Sequence, residues 1–339
     1  MLENRSQTRQ GLCRDASSVA QTDIKPSQGI DSARERFLPI LSRMKFRSAF
    51  PLLVSGFLAA SLNPVALADS AESSDKEKPK RNVDGIMDNS FLVEEAYNQE
   101  AGVVQHIFNS FYAVNQLHSA DERGFALSFT QEWPIVSQTH QFSYTVPFTD
   151  SLSGGSWHAG FGDVLLNYRY QAYFNEENLR AFAPRASLLI PTGDDRRGFG
   201  EGSAGAQFNL PFSTAIGDYF FLHSNAGLTW VPRATSLHHE GALGYNLGQS
   251  VIYAVTPDFN LMLEWVGYWT DQLDGQDRVH TEFASLISPG FRKAFNFSNG
   301  SQLVLGLAAP IGLNRTAPDY GVFLYASFEH FFKRPEQKK

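Results

Sequence analysis

The sequence predicts an all-β fold of outer-membrane type, a transmembrane antiparallel β-barrel of about 12 strands. Two observations carry this expectation. From about Val103 to Phe332, segments of roughly ten residues alternate apolar and polar side chains, each followed by a turn. A strand with one face in lipid and the other toward a lumen requires that alternation. The connections between segments also alternate, one long and the next short, as they do when external loops are long and periplasmic turns short.

The elements follow in order. Strand one, about Val103–Val114, rests on spacing and β-propensity as much as on period. Strand two sets Phe125, Leu127, Phe129, Trp133 and Ile135 against Ala126, Ser128, Thr130 and Glu132. With a side-chain period of two, the first set faces hydrocarbon and the second the lumen. Strand three repeats this with Phe142, Tyr144, Val146 and Phe148 outward. Strand four sets Val164, Leu166, Tyr168 and Tyr170 against Asp163, Asn167, Arg169 and Gln171. Strand five presents Phe182, Ala186, Leu188 and Ile190, and strand six Ala204, Ala206, Phe208, Leu210 and Phe212. Strands seven and eight follow on Phe220, Leu222, Leu228 and Trp230, then Leu243, Tyr245, Leu247, Val251, Tyr253 and Val255. Phe259, Leu261, Leu263, Trp265 and Trp269 mark strand nine, and Leu303, Leu305, Leu307, Ala309 and Ile311 mark strand eleven. Strands ten (about Val279–Phe295) and twelve (about Gly321–Phe332) alternate less cleanly.

A soluble β-sandwich also alternates, but it gives no reason for loop length to sort by parity around the chain. The long gaps are Asn115–Arg123, Thr149–Ala159, Thr192–Gly202, Arg233–His239, Thr270–Arg278 and Leu313–Tyr320. The short ones are Val136–Gln138, Asn175–Leu179, Ser213–Asp218, Thr256–Pro257 and Asn296–Gly300. Phe, Tyr and Trp near the strand ends fit interfacial girdles.

Ahead of the barrel, Met44-Lys45-Phe46-Arg47, the apolar stretch Phe50–Leu67 and the Ala66-Leu67-Ala68 motif predict a secretory signal peptide over 44–68. Residues 1–43 read as an extension upstream of the true start, and 69–102 as a periplasmic leader. Within that leader, Phe91–Gln99 (FLVEEAYNQ) reads as a short helix, a lumen plug or a linker. Residues 333–339 form a polar tail after the 103–332 barrel. The single cysteine, Cys13, precedes the cleavage site, so disulfides, cysteine metal sites and a lipid anchor are excluded from the mature chain. Removing the nine basic and five acidic residues of 1–68 from the 28 and 35 of the full chain leaves 19 and 30, a net charge of −11. That acidity argues against nucleic acid as a partner. The expected location is the cell outer membrane of a Gram-negative bacterium. The expected partners are outer-membrane lipid and lipopolysaccharide, the barrel-assembly machinery and a small solute.

The middle of the chain reads Gly160-Phe-Gly-Asp-Val-Leu-Leu-Asn-Tyr-Arg-Tyr, then Pro184-Arg-Ala-Ser-Leu-Leu-Ile-Pro-Thr-Gly-Asp, then Asn209-Leu-Pro. This resembles the bacterial outer-membrane family named for the meta-pathway of phenol degradation, whose members are often called transporters. The likeness covers most of 91–332. It implies a barrel that transports small, aromatic or hydrophobic compounds, and it brings no catalytic residues. Read physically, Gly160 and Gly162 suit a tight start of a strand, and Pro191-Thr-Gly-Asp ends a strand and opens an external loop.

No catalytic, cofactor-binding or metal site is predicted, and no cofactor is expected. Barrel lipases need a histidine and a serine on one face of a strand; His223 and Ser224 are adjacent and point to opposite faces. His238-His239-Glu240 lacks a third spaced ligand. Gly198-Phe-Gly-Glu-Gly has no helix after it to cradle a phosphate. The informative set lies on the lumen phase: Glu132, Asp163, Arg169, Arg185, His223, Glu264, Glu282, Arg292 and Glu329. Of these, Asp163, Arg169 and Arg185 are expected to pair across adjacent strands. Charged groups inside a barrel line a pore or knit it shut. The main reading is therefore a channel or transporter for a small solute. A structural or interaction barrel with a closed lumen is the alternative, and a lipase-like enzyme a distant third.

Overall fold

The computed structural model describes residues 90–115, 122–153 and 156–332. The signal peptide, the upstream extension, most of the leader and the polar tail lie outside the described residues. The described chain is all-β with two 3-10 turns. Twelve strands close into one antiparallel barrel. They are β1 (Val103–Asn115), β2 (Glu122–Ile135) and β3 (Ser137–Ser153). Next come β4 in three pieces (Ser156–Phe161, Val164–Tyr170, Tyr173–Asn175) and β5 in two (Arg180–Phe182, Arg185–Ile190). β6 is also split (Gly205–Asn209, Phe212–Ile216), and β7 (Phe220–Ala234), β8 (Glu240–Thr256), β9 (Phe259–Leu273) and β10 (Val279–Asn296) are long. β11 (Gln302–Ala308, Ile311–Gly312) and β12 (Tyr320–Phe331) complete the ring. The seam runs from Val103↔Phe331 to Val114↔Tyr320 between β1 and β12, so no edge is left open.

The predicted lipid faces point outward. Leu166, Leu188, Phe208, Tyr245, Leu263 and Leu324 are all exposed on the outer wall, where hydrocarbon replaces water as the solvent. The inner wall carries Gln105, Gln141, Asn167, Ser250, Asn260 and Ser327, all buried. The breaks in β5, β6 and β11 fall at Pro184, Pro211 and Pro310, because proline brings no N–H to the ladder. Their carbonyls still accept, from Tyr170 at 3.0 Å, Ala183 at 3.3 Å and Gly321 at 2.8 Å.

Several boundaries differ from expectation, with β6 running on to Ile216 and β9 to Leu273 inside predicted gaps. The predicted gap Thr149–Ala159 is mostly strand: β3 runs on to Ser153 and pairs with β4 down to Ser153↔Ser156. Beyond the bilayer a hairpin needs no apolar face. The ladder continues there while the alternation that reveals it fades. At the opposite end, the turns are tight and use positive φ at Gly217 (62°) and Gly300 (83°), which glycine adopts without steric cost.

Candidate functional site in the lumen

The barrel interior is not empty. Ser90–Gly102, just before β1, crosses the lumen without joining any strand, so the structure gives the plug among the three readings of Phe91–Gln99. Backbone polar groups without a ladder must find partners elsewhere, and here the wall side chains supply them. Glu264 Oε1 accepts from the amides of Phe91, Leu92 and Val93 at 3.1, 3.0 and 3.2 Å. The Ala96 amide donates to Ser213 Oγ at 2.8 Å, and those of Asn98 and Gln99 to Gln171 and Gln141 at 3.1 and 2.7 Å. Gln171 in turn donates to the Ala96 carbonyl at 2.8 Å.

Arg169 is the hub. Its Nε donates to Asn98 Oδ1 at 2.9 Å, Nη1 to the Glu95 carbonyl at 3.1 Å and Nη2 to the Tyr97 carbonyl at 2.6 Å. Glu94, Glu95 and Glu132 surround it at 3.7, 3.7 and 3.9 Å. Arg185 Nε holds Glu94 at 2.8 Å, and Asn209 donates to the same carboxylate at 2.8 Å. The planar, permanently charged guanidinium suits this multiple engagement. Burial raises the Glu94 carboxyl, but the charges of Arg185 and Arg169 outweigh it and hold the group below its ordinary value.

Apolar contacts seat the rest. Phe91 stacks on Phe323 and lies tilted against Tyr325, with ring centroids 5.5 and 5.3 Å apart. Val93 packs among Val266, Ala284, Leu286 and Ala317. Three wall glycines make room: a Cβ on Gly306 would run into the Phe91 ring, one on Gly290 would press on Ala308 and come within 3.0 Å of that ring, and one on Gly248 would come within 2.9 Å of Val93. These glycines, mid-strand and on the inner phase, were the missed sequence signal, since glycine inside a strand often marks close approach by another group. Toward the short-turn end, Tyr97, Gln99, Gln171, Phe174 and Glu329 line a cavity of about 520 Å³.

All nine lumen-phase candidates lie on the inner side, with unequal roles. Glu132, Arg169, Arg185, His223, Glu264 and Glu329 surround the plug; His223 meets Tyr97 edge-on at 5.9 Å and Glu329 approaches Gln99 at 3.5 Å. Arg292 is fully buried near Glu264. Glu282 pairs with His280 at 3.0 Å on the external part of β10, away from the plug. The expected pairing of Asp163 with the arginines does not form. Its carboxylate instead accepts from Gly193 N at 2.9 Å and Glu201 N at 2.8 Å, pinning the loop after β5. The reason is proximity, since that loop folds back over the strand. A Cβ on Gly160 would meet the Phe199 ring, and Gly162 lies under Pro147 and the Phe199 carbonyl. Gly160 and Gly162 thus admit a loop rather than shape a turn.

The family model described as "Putative MetA-pathway of phenol degradation" matches residues 93–329. The chain belongs to this family. The match starts inside the plug, so the phenol-degradation family pattern includes most of the segment that crosses the lumen. Among solved structures, this family member is similar to an outer membrane channel from Pseudomonas putida F1. The TM-score is 0.53 and the identity 16%, covering 70% of this chain and 98% of that one. The curated proteins gave no match.

In this phenol-degradation family barrel, His223 and Ser224 do face opposite ways. His223 is buried in the lumen on Ser213 at 2.7 Å, while Ser224 is outside and donates to Gln249 at 2.8 Å. Ser213 Oγ also accepts the Ala96 amide at 2.8 Å, so this serine and His223 are both built into the seat of the plug. His238 and His239 sit exposed in a loop with φ of 54° and 68°. Among the described residues, no group of three or more His, Cys, Asp or Glu could hold a metal ion.

Proposed function

We propose that this chain is an outer-membrane channel or transporter for a small solute of aromatic or hydrophobic character, not an enzyme, and that Phe91–Gln99 is its gate. One observation carries the reading. The lumen is filled by a segment of the chain itself, held chiefly by hydrogen bonds and ion pairs from the wall. Polar contacts of that kind can be exchanged for water as the segment moves, whereas a barrel built only for rigidity is better filled by its own wall side chains. The family description and the fold shared with a bacterial channel support the same reading. On this reading the chain sits in the outer membrane of a Gram-negative bacterium, among lipid and lipopolysaccharide, and is inserted by the barrel-assembly machinery.

Planar-bilayer conductance tests it. The intact barrel should conduct weakly, and a variant lacking Phe91–Gln99 should conduct several-fold more. A barrel that stays silent without the segment would favour the closed structural alternative. Uptake of benzoate into proteoliposomes, compared with a neutral sugar of similar size, tests the aromatic preference.

A further inference from the structure

On the outer face of the seam, two histidines meet tip to tip. His106 Nε2 and His330 Nε2 are 3.2 Å apart. Their ring centroids are 5.3 Å apart and the planes lie within 19°. They are diagonal neighbours in the β1–β12 ladder, where Val104 pairs with His330 and His106 with Phe328. His106 also stacks on Phe129 and His330 lies against Phe328, both on the outer face. Each histidine is half-buried, and His330 also borders the cavity at the short-turn end.

We propose that His106 and His330 together bind a divalent transition-metal ion of the Zn²⁺ type, bridging the first and last strands of the barrel. Imidazole is a preferred ligand for such ions. A tetrahedral zinc held by two imidazoles at ~2.0–2.1 Å places the two nitrogens about 3.3 Å apart and the ring centroids about 5.2 Å apart. The observed 3.2 and 5.3 Å meet both conditions with little side-chain movement. Two protein ligands leave the other positions to solvent, so the ion is exchangeable rather than permanently built in. The site spans the one junction at which strands from opposite ends of the chain meet. A bound ion there adds coordination bonds to a closure otherwise made by the ladder and side-chain packing.

The experiment uses the tag-free mature barrel in detergent micelles, stripped with EDTA and titrated with Zn²⁺. Calorimetry should find one site per barrel in the micromolar range. The temperature at which the folded band converts to the unfolded one on a gel should rise with Zn²⁺ and fall back with EDTA. His106→Gln and His330→Gln should each assemble without metal but lose both responses. A readout on the unmodified chain guards against misfolded variants: Zn²⁺ should protect His106 and His330, but not His140, from diethyl pyrocarbonate, as read by peptide mass spectrometry. Absence of that protection would reduce the pair to an ordinary N–H···N hydrogen bond and overturn the proposal. Zn²⁺ binding retained in both variants would also overturn it, and would move the metal elsewhere, such as His280–Glu282.

Discussion

Arg169 shows how much one side chain holds in this lumen. It is almost fully buried, reaches four residues of the plug and faces three carboxylates. Removing its charge leaves those acids close together in a site poor in water. Arg169→Gln should therefore cost about 3–5 kcal/mol, measured by urea unfolding in micelles, and should make the plug protease-sensitive first. Arg169→Lys should fall between, because it keeps the charge and loses the fork. Glu94 gives the matching pH dependence. Its folded carboxyl lies below the ordinary value because of Arg185 and Arg169. Its stabilisation is thus complete above the unfolded value, about 4.3, and is lost as pH falls through the lower folded value. Conductance should rise as the pH falls below that ordinary value, and Glu94→Gln should remove this part of the acid rise. A rise that persists undiminished in Glu94→Gln would place the titrating group elsewhere.

At the scale of the strand, the two faces differ in what they tolerate. Leu166 is exposed on the outer wall of β4, while its neighbour Asn167 is buried and accepts from Arg185 at 2.9 Å. Leu166→Arg should cost about 2–4 kcal/mol at mid-membrane, seen as poor assembly by heat-modifiable gel mobility, whereas Leu166→Phe should assemble normally. Normal assembly of the arginine variant would reverse the face assigned to β4. Asn167→Arg is not the neutral inward control that the alternation suggests, because the new cation would sit beside Arg185. Period tells which face a residue occupies; it does not tell which inward residues are already engaged. The external loop after β5 makes the same point. Gly160 with Asp163, Gly193 and Phe199 belong to three separate stretches of the sequence and form one knot in the fold.

For the molecule as a whole, closure and occlusion follow different rules. Closure was legible because it repeats: nine of the twelve strands place apolar residues at every second position, and loop length marks the two ends of the barrel. Where repetition weakens, at the external ends of β3 and β4, the strands run past the point at which the alternation fades. The sequence by itself determined the barrel and its two faces, because lipid imposes a period of two on every strand that touches it. Only the tertiary structure decided that FLVEEAYNQ crosses the lumen, that Asp163 serves a loop rather than an arginine, and that His106 meets His330. Those contacts join residues far apart in the chain, such as Phe91 and Glu264, through single side chains that obey no period. Nothing local in the sequence records them until the ring closes and sets them face to face.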